Sequence, residues 1–157
     1  MPSFNVKRRM PYGAEQVYAI AADVGSYKEF IPLMRKVTVS NRKPLPDGCE
    51  TFDAEMTVIY KKLGIEESTL SHVTIDPAGL TVKAHADQGA VKSLDTLWRV
   101  QALGPDACDV EFSVDYTLKS RSLQFLLSGM FDFVVRRVMS AFEERAKRLY
   151  GSVDASS

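Results

Sequence analysis

From Ser3 to Met10 apolar and polar positions alternate, with Phe4, Val6, Arg8 and Met10 set against Ser3, Asn5, Lys7 and Arg9, and this predicts a strand with one mixed face. Pro11-Tyr12-Gly13 punctuates it. From Ala14 the apolar positions Val17, Tyr18, Ala21 and Ala22 fall at helical spacing with Gly25 as the stop, and a second short helical piece covers Tyr27–Phe30 before Pro32. The period then changes from 3.6 to 2. Val37 and Val39 begin the change, Pro44-Leu-Pro-Asp-Gly48 is a turn, and Phe52, Ala54, Met56, Val58 and Tyr60 alternate with Thr51, Asp53, Glu55, Thr57 and Ile59. Ile65–Ile75, Leu80–Ala86, Leu94–Ala102 and Cys108–Tyr116 continue the alternation, separated by KKLG, DPAG, DQGA and GPDA. Such a run predicts an antiparallel meander with one face covered and one wet.

After Lys119 the helical period returns and holds from Ser122 to Tyr150, where Gly151 ends it. Leu123, Leu127, Met130, Phe131, Val134, Val138, Phe142 and Leu149 are read as its apolar stripe. The expected architecture is α+β: a curved antiparallel sheet of six to seven strands wrapped around a long C-terminal helix, with two short helices after the first strand. A cavity is expected wherever helix and sheet fail to meet. Residues 1–151 are read as one domain and 152–157 as a short polar tail.

Composition narrows the partners. The chain has 157 residues, 45% of them hydrophobic, and 20 basic side chains balance 20 acidic ones. Zero net charge argues against a binder that works mainly by neutralising phosphates, and the hydrophobic content argues against disorder. The first ten residues lack a secretory h-region and a transit-peptide composition, so a cytoplasmic location is expected. The longest nearly uncharged stretch, Ser122–Val135, contains Asp132 and falls short of the roughly 18 to 20 residues that span a bilayer. Cys49 and Cys108 are read as reduced, partly buried thiols.

Catalytic motifs are scarce. His72 and His85 fall on outer-face positions, and no metal-ligand spacing, nucleophile elbow or phosphate-binding loop occurs. The inner faces are more informative, because Glu67, Thr69 and Ser71 share a face with Ile65, Val73 and Ile75, and Thr96 sits between Leu94 and Trp98. Inward polar groups need partners, since an unsatisfied one costs about 1 to 3 kcal/mol. Glu67 either pairs with a basic residue such as Arg8 or marks a polar patch at one end of a greasy pocket. Trp98 is either core packing or a wall for a flat ring. From Leu123 to Val135 the helix carries more large apolar residues than a stripe needs, and Phe125, Leu126 and Phe133 are the surplus. That surplus is covered by loops or faces a partner subunit, a membrane or an apolar ligand.

The finer motifs carry a resemblance. Tyr27-Lys-Glu-Phe-Ile-Pro32, Leu94-x-Thr-x-Trp98, Val110-x-Phe-x-Val-x-Tyr116, and Phe142-Glu-Glu-Arg-Ala146 leading into Leu149-Tyr-Gly151 resemble the coenzyme Q-binding protein family of the START-like, polyketide cyclase-like helix-grip superfamily, which also includes the ribosome-association toxins. The resemblance spans residues 3 to 151. It implies a START/Bet v-like helix-grip fold and a non-enzymatic carrier or chaperone that binds ubiquinone and supports respiratory electron transport. The family's Pro and Trp positions carry over to Pro32 and Trp98. With no transit peptide, a bacterial member is the expectation.

Physical chemistry fits this implication. A benzoquinone offers two carbonyl acceptors and a flat face, which Tyr60, Thr69, Ser71, Thr96 and Trp98 could meet. Phe30, Pro32, Val58, Glu67, Leu94, Met130 and Val134 complete the candidate lining. An isoprenoid tail overfills a pocket of roughly 300 to 1,000 Å³. Its excess would be covered at Phe125, Leu126 and Phe133, by a homodimer or by peripheral contact with the inner face of the inner membrane. No catalytic cofactor is expected, and ubiquinone enters as a bound ligand. Two alternatives differ in class: a regulator bound to the large ribosomal subunit through Lys7-Arg8-Arg9, Lys61-Lys62 and Arg136-Arg137, and an aromatase/cyclase-like enzyme with Glu67 as acid or base.

Overall fold

The computed structural model describes residues 3–31, 34–61, 64–88, 91–119 and 121–151, and their side chains except those of Tyr60, Ile65 and 121–132. Strand β1 (Ser3–Met10) leads into helix α1 (Ala14–Ala22) and a 3-10 helix (Val24–Glu29). Six strands follow: β2 (Met34–Pro44), β3 (Glu50–Tyr60), β4 (Ile65–Asp76), β5 (Thr81–Ala86), β6 (Val91–Gly104) and β7 (Ala107–Leu118). Helix α2 (Arg121–Tyr150) completes the fold. The alternating segments thus form the expected meander, slightly extended at both ends of β6 and β7.

All seven strands join one antiparallel sheet in the order β1-β7-β6-β5-β4-β3-β2. Only β1 departs from sequence neighbours, crossing to the far edge beside β7, so the two edges of the sheet are β1 and β2. Register breaks lie in β2 between Met34 and Lys36 and between Ser40 and Lys43, and in β6 at both ends. Asn41, with φ 57, takes the left-handed conformation that the β2 bulge needs. Bulges add twist, and a twisted sheet curls around whatever its concave face covers.

Period-2 logic assigns that face. Met10 lies opposite Cys108, Val110 opposite Val100, Phe112 opposite Trp98, Val82 opposite Trp98, and Phe52 opposite Val73, and these residues are buried together. Helix α2 meets them with Val135, Met139, Phe142 and Ala146, spaced four, three and four apart. The buried stripe is therefore rotated from the expected one: Val134 and Val138 are half-buried at its margin and Leu149 is exposed. Among the described residues only Phe142 belongs to both, and the side chains of Leu123, Leu127, Met130 and Phe131 lie outside them. The expected stripe missed Val135 and Met139, one position on from Val134 and Val138, and the small Ala146.

Caps hold the ends. The Gly13 N–H donates to Gln16 Oε1 at the start of α1, and Gly151, with φ 85, closes α2 while its carbonyl accepts from the Tyr12 hydroxyl. The Tyr150 hydroxyl donates to the Gln16 carbonyl, so the end of α2 is tied both to α1 and to the turn before it. The expected stop at Gly25 is corrected: α1 ends at Ala22, and Gly25 lies inside the 3-10 helix, which covers Val24–Glu29 rather than Tyr27–Phe30. Asp23 ends α1 with its N–H on the Ala19 carbonyl, and Gly25 lies against the Val39 side chain.

Candidate functional site

The space between the concave face and α2 divides into a closed end and an open end. At the closed end Trp98 is buried, with Phe112 at 4.2 Å and Phe142 at 3.9 Å between ring centroids, both nearly parallel to the indole. Two parallel rings that close cannot share one face of an indole without overlapping, so they sandwich it. Phe142 also meets Phe30 at 5.2 Å and Tyr27 at 5.9 Å, edge to face. The buried Tyr27 hydroxyl donates to the Ala21 carbonyl, and burial pushes its phenol well above the usual tyrosine range. Trp98 is thereby packing, and neither face of its ring is open to a flat ligand.

The open end is made of smaller side chains. Ala54 lies opposite Ser71, Ala84 opposite Thr96, and Ala86 opposite Leu94, all on the concave face. Met56 lies opposite Thr69, and Val58 opposite Glu67. Strands β4, β5 and β6 have neighbours on both sides, so solvent reaches a concave-face side chain there only through the space beneath the helix. Leu94, Thr96, Ala84 and Thr69 are nonetheless only half-buried, whereas Ser71 is buried among them. Exposure rises along the face to Val58, at 38%, and to Glu67 at the rim. The sheet and α2 therefore diverge from the aromatic end toward the rim.

Charge is nearly absent from this space. Arg8, the expected partner of Glu67, instead reaches α2, where its Nη1 donates to Ser140 Oγ at 3.1 Å and pairs with Glu143 at 3.2 Å. Register explains the correction: Arg8 lies opposite Val110 on β7, near one edge of the sheet, and β4 is three strands further on. Glu67 stands exposed at the rim. Burial raises the Cys108 thiol to about 11 and also lifts the Tyr116 phenol. Both are protonated near neutral pH, so neither supplies a nucleophile or a base there. Cys49, raised to about 11 by desolvation and by the carboxylates of Asp47 and Asp76, lies in the β2–β3 turn region. Both cysteines are free.

The histidines are on the convex face, as the alternation predicts. His72 and His85 lie opposite one another, each with Nδ1 at 2.7 Å from a carboxylate, Asp53 and Asp95 respectively. Among the described residues no group of three or more His, Cys, Asp and Glu side chains forms a metal site.

Of the candidate lining, Thr69, Ser71, Leu94, Thr96, Val58 and Glu67 share the open end. Phe30 belongs to the closed end, with the Arg145 guanidinium 5.1 Å above its ring on the outer side. Val134 is on α2 at the margin of the stripe. Pro32 and the side chains of Tyr60, Met130, Phe125 and Leu126 lie outside the described residues. Phe133 is 62% exposed, so loops do not cover it. The inward alanines of β3 and β5, which make room at the open end, were missed; the Ala84-His-Ala86 alternation was their visible signal.

Among the described residues no helix is long and apolar enough to cross a membrane. The chain is 29% identical over 94% of its length to the mitochondrial coenzyme Q-binding protein COQ10 homolog B of Xenopus laevis, and spans 59% of that protein. It is 25% identical over 97% of its length to the ribosome association toxin RatA of Escherichia coli K12, and spans 91% of that one. Among solved structures, an 18 kDa protein of Caulobacter crescentus superposes with a TM-score of 0.79 at 28% identity, covering 97% of this chain and 100% of that one. A Thermus thermophilus protein gives 0.80 at 18% identity, covering 95% and 99%, and the Zhui aromatase/cyclase of Streptomyces gives 0.72 at 18%, covering 93% of each. These likenesses establish the START/Bet v-like fold, with a relation to both quinone-binding and toxin proteins. The family described as polyketide cyclase/dehydrase and lipid transport matches residues 10–143, from the end of β1 well into α2, and the chain belongs to it.

Proposed function

We propose that the chain binds ubiquinone, or a similar isoprenoid quinone or lipid, beneath α2 and acts as its carrier or chaperone in support of respiratory electron transport. The carrying observation is the incomplete burial of Ala84, Thr96, Leu94 and Thr69 on flanked inner strands, which supports solvent access inside the grip. Thr69, Ser71 and Thr96 offer hydroxyl donors to quinone carbonyls. Met56, Val58 and Leu94 offer apolar surface, worth about 0.8 kcal/mol per buried tail CH₂. Among the described residues the concave face holds no imidazole, its carboxylates are Glu67 at the rim and Glu50 at the start of β3, the latter paired with Arg42, and Arg8 is engaged by Glu143. That inventory favours holding an uncharged ligand over proton-transfer chemistry.

The test is organic extraction of the purified protein followed by mass spectrometry. Recovery of a quinone near one equivalent, with no turnover, is the expected result. A second reading has its own support in the match to RatA along most of both chains. An empty extract combined with co-sedimentation on large ribosomal subunits would favour it. The enzymatic reading, supported by the aromatase/cyclase likeness in fold, requires that Glu67→Gln abolish a measured turnover.

A further inference from the structure

The outward face of α2 lies opposite its buried stripe and outside the cavity of the carrier reading. At 100° per residue Phe133, Arg137, Ser140, Glu144 and Arg148 share that face. Beside it, the end of the 3-10 helix leaves a groove of about 420 Å³ whose lining includes Phe30, Glu29, Arg137, Arg145 and Arg148. Arg145 is already engaged, with Nη2 3.1 Å from Glu29. Arg137 lies 5.6 Å over the Phe133 ring, and among the described residues neither it nor Arg148 has an ion-pair partner. From Phe133 to Arg148 the chain has Arg136, Arg137, Arg145, Lys147 and Arg148 against Glu143 and Glu144, although its total charge is zero. This half of the helix therefore carries more basic than acidic side chains.

An exposed phenylalanine stacked by an arginine, with unpaired arginines along the same face, has the make-up of an interfacial helix: apolar insertion beside cationic contacts. We infer that the outward face of α2 docks on an anionic phospholipid bilayer, with Phe133 entering the acyl boundary and Arg137 and Arg148 holding lipid phosphates along the groove. A lipid surface is favoured over RNA because the same helix runs N-terminally from Phe133 into the apolar sequence Leu123–Phe131, which no nucleic acid would require. Docking would set the carrier beside the phase in which a quinone tail dissolves.

Vesicle flotation tests this, using the full chain and equal parts phosphatidylglycerol and phosphatidylcholine against phosphatidylcholine alone. The protein should float with the anionic vesicles only, and high salt should weaken this. A basic residue near an anionic surface is worth about fivefold in partitioning, so R137A/R148A should bind about 25-fold more weakly. Phe133→Ser should cost about tenfold. All three side chains are exposed, so unchanged melting temperatures serve as the folding control. Equal partition of variants and parent, or equal binding to both vesicle types, overturns the inference. So does displacement by millimolar inorganic phosphate, which would make the groove a free-anion site. Loss of ribosomal co-sedimentation in R137A/R148A with vesicle binding intact overturns it in favour of RNA. Quinone extraction on the same samples separates the two proposals: a quinone-loaded protein that ignores vesicles sinks the docking surface alone, and an empty protein that floats sinks the carrier alone.

Discussion

The two ends of the space beneath α2 share the concave face of one sheet yet differ in almost every physical respect. At the closed end large rings fill the gap: Trp98 between Phe112 and Phe142, with Tyr27 and Phe30 against Phe142. At the open end Ala54, Ser71, Ala84 and Ala86 face the helix and leave volume that Thr69, Thr96 and Leu94 line. Side-chain size along one face thus separates a region that holds the fold together from one that can hold a ligand. Stability should be concentrated at the first and specificity at the second.

Phe142→Ala applies the largest stress to this division. It removes the ring that covers Trp98 on one side and supports Tyr27 and Phe30 on the other. The expected loss is about 3–5 kcal/mol in denaturant unfolding, with red-shifted Trp98 fluorescence in the folded variant. Quinone content per folded molecule should stay near that of the parent. A loss under about 1 kcal/mol would mean that the aromatic end does not anchor the helix.

Ala84→Phe reverses the experiment by filling the open end. Overpacking costs about 1–3 kcal/mol in a tight core, but Ala84 is only half-buried, so the cost should fall toward the low end. Co-purified quinone should drop at least tenfold. A variant that keeps its quinone would place the ligand elsewhere and collapse the distinction between the two ends.

How much of this was legible in the sequence follows the physics of each signal. Strict alternation from Phe52 to Tyr60 and from Cys108 to Tyr116 showed the strands and which residues point inward, because a period of 2 is a local property. Pairing was legible only in part. That β1 sits beside β7, placing Arg8 within reach of Glu143 and far from Glu67, depends on a long-range crossover that no local pattern encodes. The helix stripe was misjudged by a fraction of a turn, since the surplus of large apolar residues blurred the wheel and Ala146 gave no hydrophobic signal. The sandwich around Trp98 joins residues from β6, β7 and α2 and could be seen only in three dimensions.

Thr96→Val asks a finer question of the open end. It keeps the shape and removes one hydroxyl, and a net hydrogen bond is worth about 0.5–1.5 kcal/mol, so quinone affinity should fall about two- to tenfold. Stability should change little. Titration with a short-tailed quinone, followed by quenching of Trp98, would measure it. Unchanged affinity would remove Thr96 from the head-group contacts and leave Thr69 and Ser71.

The smallest expected effect lies on the convex face, where His85 provides a pH response unconnected with the cavity. Hydrogen bonding to Asp95, 2.7 Å away, raises the His85 pKa above its ordinary 6.5 despite an opposing desolvation cost, and Asp87 adds to the rise. A pKa higher in the folded state than in the unfolded state means that folding binds protons more tightly. The stabilisation is therefore fully present below about pH 6.5 and fades as pH climbs through the folded value. The side chain is 49% exposed, so screening keeps the effect small. Asp95→Asn should return the imidazole titration, followed by NMR, toward 6.5, and the parent's small stability advantage over this variant should shrink as pH rises. Quinone content should be the same in both proteins at every pH. If it falls with the histidine titration, the convex face is coupled to the cavity and the division of labour between the two ends of the concave face is incomplete.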